Sequence, residues 1–131
     1  MEKKQKEIVM NSGEYTFDFE RLEVYQKGME LVLQFFRITR SLPKEYQYSL
    51  ADQLRRAGLS ILNNLAEGSG KISKKEKGQF YKTALNSTRE CVPMLTVLVR
   101  EEQLAPDIHQ ILRQEVIHIA NMLGKLIASI H

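Results

Sequence analysis

The chain has 131 residues, enough for one domain with a sizeable core and too few for two ordinary ones. An apolar fraction of 43% beside a charged fraction of 27%, with a single cysteine, excludes global disorder, a collagen-like fibre and a disulfide scaffold. The net charge of +3 permits nucleic-acid binding without demanding it.

Residues 1–16 are polar and uncapped and are expected to form a flexible arm ahead of a bundle domain spanning 17–131. The N-terminus reads Met-Glu-Lys-Lys-Gln-Lys-Glu without an apolar stretch of signal-peptide length. No run approaches the roughly 18 consecutive apolar residues of a membrane span, so residence in the cytoplasm is expected.

A first helix is expected from Asp18, a capping residue preceded by Phe17 as a hydrophobic staple onto Leu22. Leu22, Tyr25, Met29, Val32 and Phe36 recur at steps of three and four, with Val24, Leu31, Phe35 and Ile38 as a second strip beside them. Pro43 ends it, because proline disfavours helical geometry in the preceding residue. The second helix starts between Pro43 and Ser49, carries Leu50, Leu54, Ala57, Ile61 and Leu65, and stops on the permissive backbone of Gly68 to Gly70. Ser73 with Glu76 is a capping box opening the third helix, striped by Phe80, Ala84, Cys91, Leu95 and Leu98. Pro93 lies inside that stripe and predicts a kink, since the periodicity continues past it. The fourth opens near Pro106-Asp107 and runs through Ile108, Leu112, Val116, Ile119, Leu123, Leu126 and Ile130. Short connections force antiparallel neighbours, so the fold class is all-α, an up-down-up-down antiparallel four-helix bundle.

With the helices laid out, Phe19, Leu22, Tyr25, Gln26, then Pro43-Lys44-Glu45, Leu50, Gln53, Arg55-Arg56-Ala57, Ser60-Ile61, Asn64 and Ala66-Glu67-Gly68 carry a resemblance. Lys74-Lys75-Glu76, Phe80, Ala84, Ser87, Glu90 and the stretch from Met122-Leu123 to Ser129 extend it. Together they resemble the bacterial four-helix-bundle proteins encoded in intervening sequences of 23S ribosomal RNA genes. The resemblance implies a homo-oligomer, a pentameric ring by preference, with no enzymatic activity and no cofactor. A related branch comprises the accessory variability determinant proteins of diversity-generating retroelements, basic pentameric barrels that bind a reverse transcriptase and nucleic acid. This chain departs from that branch in being less basic.

Two constellations are candidates for function. Gln53, Arg56, Ser60, Asn64 and Glu67 form a polar strip along one side of the second helix. The preferred reading pairs Arg56 and Glu67 at a helix or subunit contact, because buried charges persist only with partners. A solvated face, with Asp52 pairing locally to Arg56, and an RNA or ligand contact are the alternatives. Lys71, Lys74, Lys75 and Lys77, with Lys82 a turn on, gather at the loop and start of the third helix, where free backbone N–H groups attract phosphate. Against that, lysines on exposed loops commonly serve solubility alone. Lys3, Lys4, Lys6 and Lys125 would share that end of the bundle, which favours RNA or DNA as partner. Residues 37–56 form a second basic segment, with five Lys or Arg against two acids. His109, His118 and His131 lack metal-site spacing, Glu101 and Glu102 are adjacent and cannot share a helical face, and no catalytic motif is present. The expected role is a non-enzymatic scaffold binding nucleic acid through a basic end, or a protein-interaction module whose partner docks on an assembled ring.

Overall fold

A computed structural model describes residues 16–130. Among them there is no β-strand, and four long helices carry the fold: α1 (Glu23–Arg40), α2 (Leu50–Ser69), α3 (Lys74–Arg100) and α4 (Pro106–Ser129). At 1.5 Å per residue they are about 27, 30, 40 and 36 Å long. Each helix packs on its chain neighbours, and α1 closes the ring against α4, giving the antiparallel up-down-up-down bundle. The α2/α3 seam is the most extensive and the α1/α4 seam the least.

The core is a column of aliphatic side chains with one aromatic anchor. Leu31 and Phe35 from α1 meet Leu54, Ile61 and Leu65 from α2, Leu95 and Leu98 from α3, and Leu112, Val116, Ile119 and Leu123 from α4. The two buried threonine hydroxyls are satisfied within their own helix: Thr39 Oγ1 donates to the Phe35 carbonyl at 2.6 Å and Thr88 Oγ1 to that of Ala84 at 2.8 Å. On α1 the strip of Val24, Leu31 and Phe35 faces the core, whereas Met29 and Phe36 sit half-buried on its flank. On α3 it is Tyr81 rather than Phe80 that is buried.

The helix ends differ from expectation in three places. Asp18 does not cap α1; it opens a single 3-10 turn, Asp18–Arg21, held by Glu20 Oε1 accepting the Phe17 N–H at 2.8 Å, and α1 begins one residue after Leu22. Phe17 is exposed and stacks on Phe19 at 5.6 Å. Both candidate starts of the second helix are used, because Pro43 precedes a one-turn helix, Lys44–Gln47, and Ser49 precedes α2. Gln47 explains the break: its amide donates to the carbonyls of Thr39 (2.7 Å) and Leu42 (2.9 Å), and Arg55 donates to its oxygen at 2.6 Å, which closes the end of α1.

The third difference is at Gly68 to Gly70. Gly68 is helical and Gly70 caps α2 at φ −81°, so neither supplies left-handed backbone. Left-handed geometry falls instead on Glu102, φ 59°, after α3. There Gln103 N–H reaches the Leu98 carbonyl (2.9 Å) and Glu102 N–H that of Val99 (3.2 Å), a Schellman closure without glycine. Ser73 caps α3 as expected, its hydroxyl accepting the Glu76 N–H at 3.3 Å. Pro93 lies within α3, which continues through it with a kink where the proline cannot donate. The expected arm falls, apart from Thr16, outside the described residues.

Candidate nucleic-acid interface

The loop between α2 and α3 makes one end of the bundle, and the C-terminus of α4 joins it there, with Ile130 Cδ1 packed 3.4 Å from the position a β-carbon on Gly78 would take. Lys74 and Lys75 occupy the first turn of α3 and are exposed, as is Lys82 two turns beyond. The unpaired N–H groups of that turn contribute a partial positive charge beside them. Lys71 is half-buried: its ammonium sits 5.3 Å over the Phe80 ring and 3.9 Å from Glu67. Between Lys71 and Ser73 the Ile72 side chain is fully exposed. Lys125 is exposed on the last turns of α4.

Lys77 does a different job from the one the sequence suggests. Its ammonium donates to the carbonyls of Gly68 at 3.2 Å and Ser69 at 3.0 Å, two of the acceptors left open at the end of α2. It fastens the α2/α3 turn and adds little to an outward-facing patch. Lys3, Lys4 and Lys6 lie outside the described residues.

The polar strip divides into a half-buried middle and exposed ends. Ser60 Oγ and Ser87 Oγ, on α2 and α3, share a hydrogen bond of 2.7 Å, and Asn64 Nδ2 donates to the Ser60 carbonyl (2.8 Å) and hydroxyl (3.0 Å). Ser87 is buried, so this cluster is a polar tie midway along the two most closely packed helices, in addition to the Lys77 contacts at their end. Gln53, Arg56 and Glu67 are exposed. Arg56 Nε donates to Asp52 at 2.8 Å within α2, and Glu67 has Lys71 at 3.9 Å. Within the protomer both therefore sit in pairs four residues apart rather than at a helix contact, the Asp52–Arg56 pair being the local alternative, and such pairs are worth a few tenths of a kcal/mol. Gln53, Arg56, Ser60, Ser87 and Glu90 line a shallow groove between α2 and α3 with Ala57 and Met94.

The remaining reactive side chains do not converge. Cys91 is fully buried, its thiol donating to the Ser87 carbonyl at 3.4 Å; burial first, and the charge of Glu90 second, push its pKa up to about 12. Tyr46 donates to Glu101 at 3.2 Å, and its phenol titrates higher than usual through desolvation, then through that carboxylate. His118 lines an open groove between α1 and α4 with Lys27 and Glu115, while Gln34 bridges the same seam to Glu115 at 2.9 Å. His131 lies outside the described residues, and among those described no three His, Cys, Asp or Glu side chains gather as a metal site. No described helix is long and apolar enough to cross a membrane.

Residues 20–125 match the family model described as 23S rRNA-intervening sequence protein. The chain belongs to this family. The fold is shared with a solved structure: a protein of unknown function from the S23 ribosomal protein family of Bacteroides thetaiotaomicron superposes with a TM-score of 0.74 at 22% identity, over 80% of this chain and 95% of that one. No curated protein matches the chain. In this 23S rRNA-intervening sequence protein, sequence reasoning located the lysine loop and the Ser60 strip but missed Ser87 as the partner of Ser60, and Gln47 with Arg55 as the lock at the opposite end. Ser87 had a signal, four residues before Cys91 on the stripe. Gln47 had none, because its partners are backbone carbonyls.

Proposed function

We propose that this family member is a non-catalytic, oligomeric cytoplasmic scaffold that binds nucleic acid, structured RNA first, through the lysine-bearing end of the bundle. The carrying observation is the placement of Lys71, Lys74 and Lys75 around the open N-terminus of α3, where Glu76 is the only acid of the first turn. Phosphate is the ligand such a site favours, through both the backbone donors and the flexible cations. Filter binding with RNA and DNA over a salt series tests it. Lys71→Gln, Lys74→Gln and Lys75→Gln together are expected to flatten the slope of log K against log salt by about 2 to 3, at roughly 0.7 to 0.9 per lost contact. Unchanged affinity in the triple variant refutes the site.

A second reading has support in the α2/α3 groove. Its floor of half-buried Ser60 and buried Ser87 beneath exposed Gln53 and Arg56 suits a neighbouring subunit of a pentameric ring, and a protein such as a reverse transcriptase would then dock on the assembly without nucleic acid. The filter-binding titration separates the two readings, and light scattering tests the ring independently, because a monomer at micromolar concentration removes it from both.

A further inference from the structure

The outward ridge of α3 was not singled out by the pattern of the sequence, yet it carries four exposed cations along nearly the whole helix. Lys75, Gln79, Lys82, Asn86, Arg89, Pro93, Val97 and Arg100 recur at steps of three and four and are all exposed. They face away from the core line of Ala84, Cys91, Leu95 and Leu98. No carboxylate stands on the ridge, and none of its four cations is in an ion pair with a described acid. Glu76 and Glu90 are displaced toward the α2 side, where Glu90 lines the groove. The cations follow at intervals of about 10, 10 and 16 Å, spanning about 38 Å from Lys75 to Arg100.

We propose that this ridge is the track of a nucleic-acid duplex, an RNA stem held by its phosphates along α3. The inference rests on the reading above and extends it from the bundle end to the whole helix. Three features select the occupant. Neutral Gln79 and Asn86 fill the intervals between cations, so nothing on the ridge repels phosphate and both can donate to it. The ridge bears no aromatic side chain, which removes the stacking platform that single strands use. From Lys75 to Arg89 it also bears no apolar side chain, so an acidic partner helix would find charge but no seam to bury there. A duplex needs only the charge, and recognition would be independent of sequence.

The length makes the proposal measurable. At the A-form rise of about 2.8 Å per base pair, a track of about 38 Å covers roughly 14 base pairs of RNA, whereas the loop end alone reaches about half as many. Fluorescence anisotropy with RNA duplexes of 6 to 20 base pairs is expected to show affinity rising steeply to about 14 base pairs per protomer and only statistically thereafter. Lys82→Gln, Arg89→Gln and Arg100→Gln together, confirmed folded by circular dichroism, are expected to flatten the salt slope by about 2 to 3 and to weaken binding on the order of a hundredfold at 0.1 M salt. If the loop variants abolish binding while the ridge variant matches the parent and affinity is already level at 6 base pairs, the ridge is refuted and the loop site stands. Absence of any RNA or DNA binding refutes both. Tighter binding of single strands than of duplexes, or binding of poly-L-glutamate as tight as that of RNA, overturns the assignment of the occupant.

Discussion

Replacing Gly68 by alanine sets two effects of similar size against each other. In a helix interior the change is worth about 0.8 to 1 kcal/mol in favour of alanine, and less near a terminus, where Gly68 lies one residue before the last of α2. Against this, the new β-carbon would sit 2.7 Å from Tyr81 Cε1, 2.9 Å from its Cδ1 and 3.0 Å from Phe80 Cβ. Carbon pairs rest at about 3.5 to 4.0 Å, so the ring would have to retreat by most of an ångström. Tyr81 is 3% exposed, and Phe80 Cβ is tied to the backbone of α3, so neither yields freely. Overpacking of this kind costs about 1 to 3 kcal/mol. The expected net effect of Gly68→Ala is destabilisation by about 1 to 2 kcal/mol, a fall in melting temperature of roughly 3 to 8 °C. Urea and thermal unfolding followed by circular dichroism at one fixed protein concentration measure it. The same substitution in a Tyr81→Val background should cost at least about 1 kcal/mol less, because only the Phe80 contact remains. A rise in stability in the parent, or an equal loss in both backgrounds, would show that Tyr81 does not hold Gly68 in place.

Lys77→Met keeps the aliphatic stem but removes the donor to Gly68 and Ser69; a loss of about 1 kcal/mol is expected, with little change in the salt slope of RNA binding, unlike Lys74→Gln. Glu102→Gly relieves a left-handed residue and is expected to raise stability by about 1 kcal/mol in the same unfolding assay. Ser60→Ala strands the buried Ser87 hydroxyl and should cost about 1 to 2 kcal/mol, whereas Ser60→Ala with Ser87→Ala should cost less than the two single changes added. The Cys91 thiol binds its proton more tightly folded, near 12 against an ordinary 9.0, so its contribution is complete below pH 9 and is lost as pH rises toward 12. Chemical denaturation from pH 8 to 11 should therefore show parent stability falling more steeply than that of Cys91→Ala.

Most of the architecture was legible because burial in a bundle writes itself as a period. Leu54, Ile61 and Leu65, or Leu112, Val116 and Ile119, have no other arrangement that removes them all from water. Helix ends were less legible, since termination depends on which group finds the open carbonyls. Gly68 to Gly70 have the composition of a left-handed stop, but Lys77 supplies the donors, and Gly68 is needed for the closeness of Tyr81. At Glu102 the turn is imposed by the crossing of α3 to α4 on a residue with no preference for it.

The candidate site divides along the same line. Local charge is visible in one dimension, so the lysines of the α2/α3 loop and the strip on α2 were found at once. Which of them remain available is a three-dimensional matter: Lys77 is spent on α2, Arg56 on Asp52, and Lys71 leans on Phe80. The sequence by itself determined four amphipathic helices, their order and their antiparallel course, because hydrophobic periodicity and short connections leave no other compact solution. Only the tertiary structure decided the facing of α3, with Ser87 turned inward to Ser60 and Lys75, Lys82, Arg89 and Arg100 turned out on one acid-free ridge. The physical reason is that a helix carries its residues on every side, and the neighbours against which it packs choose which side meets water.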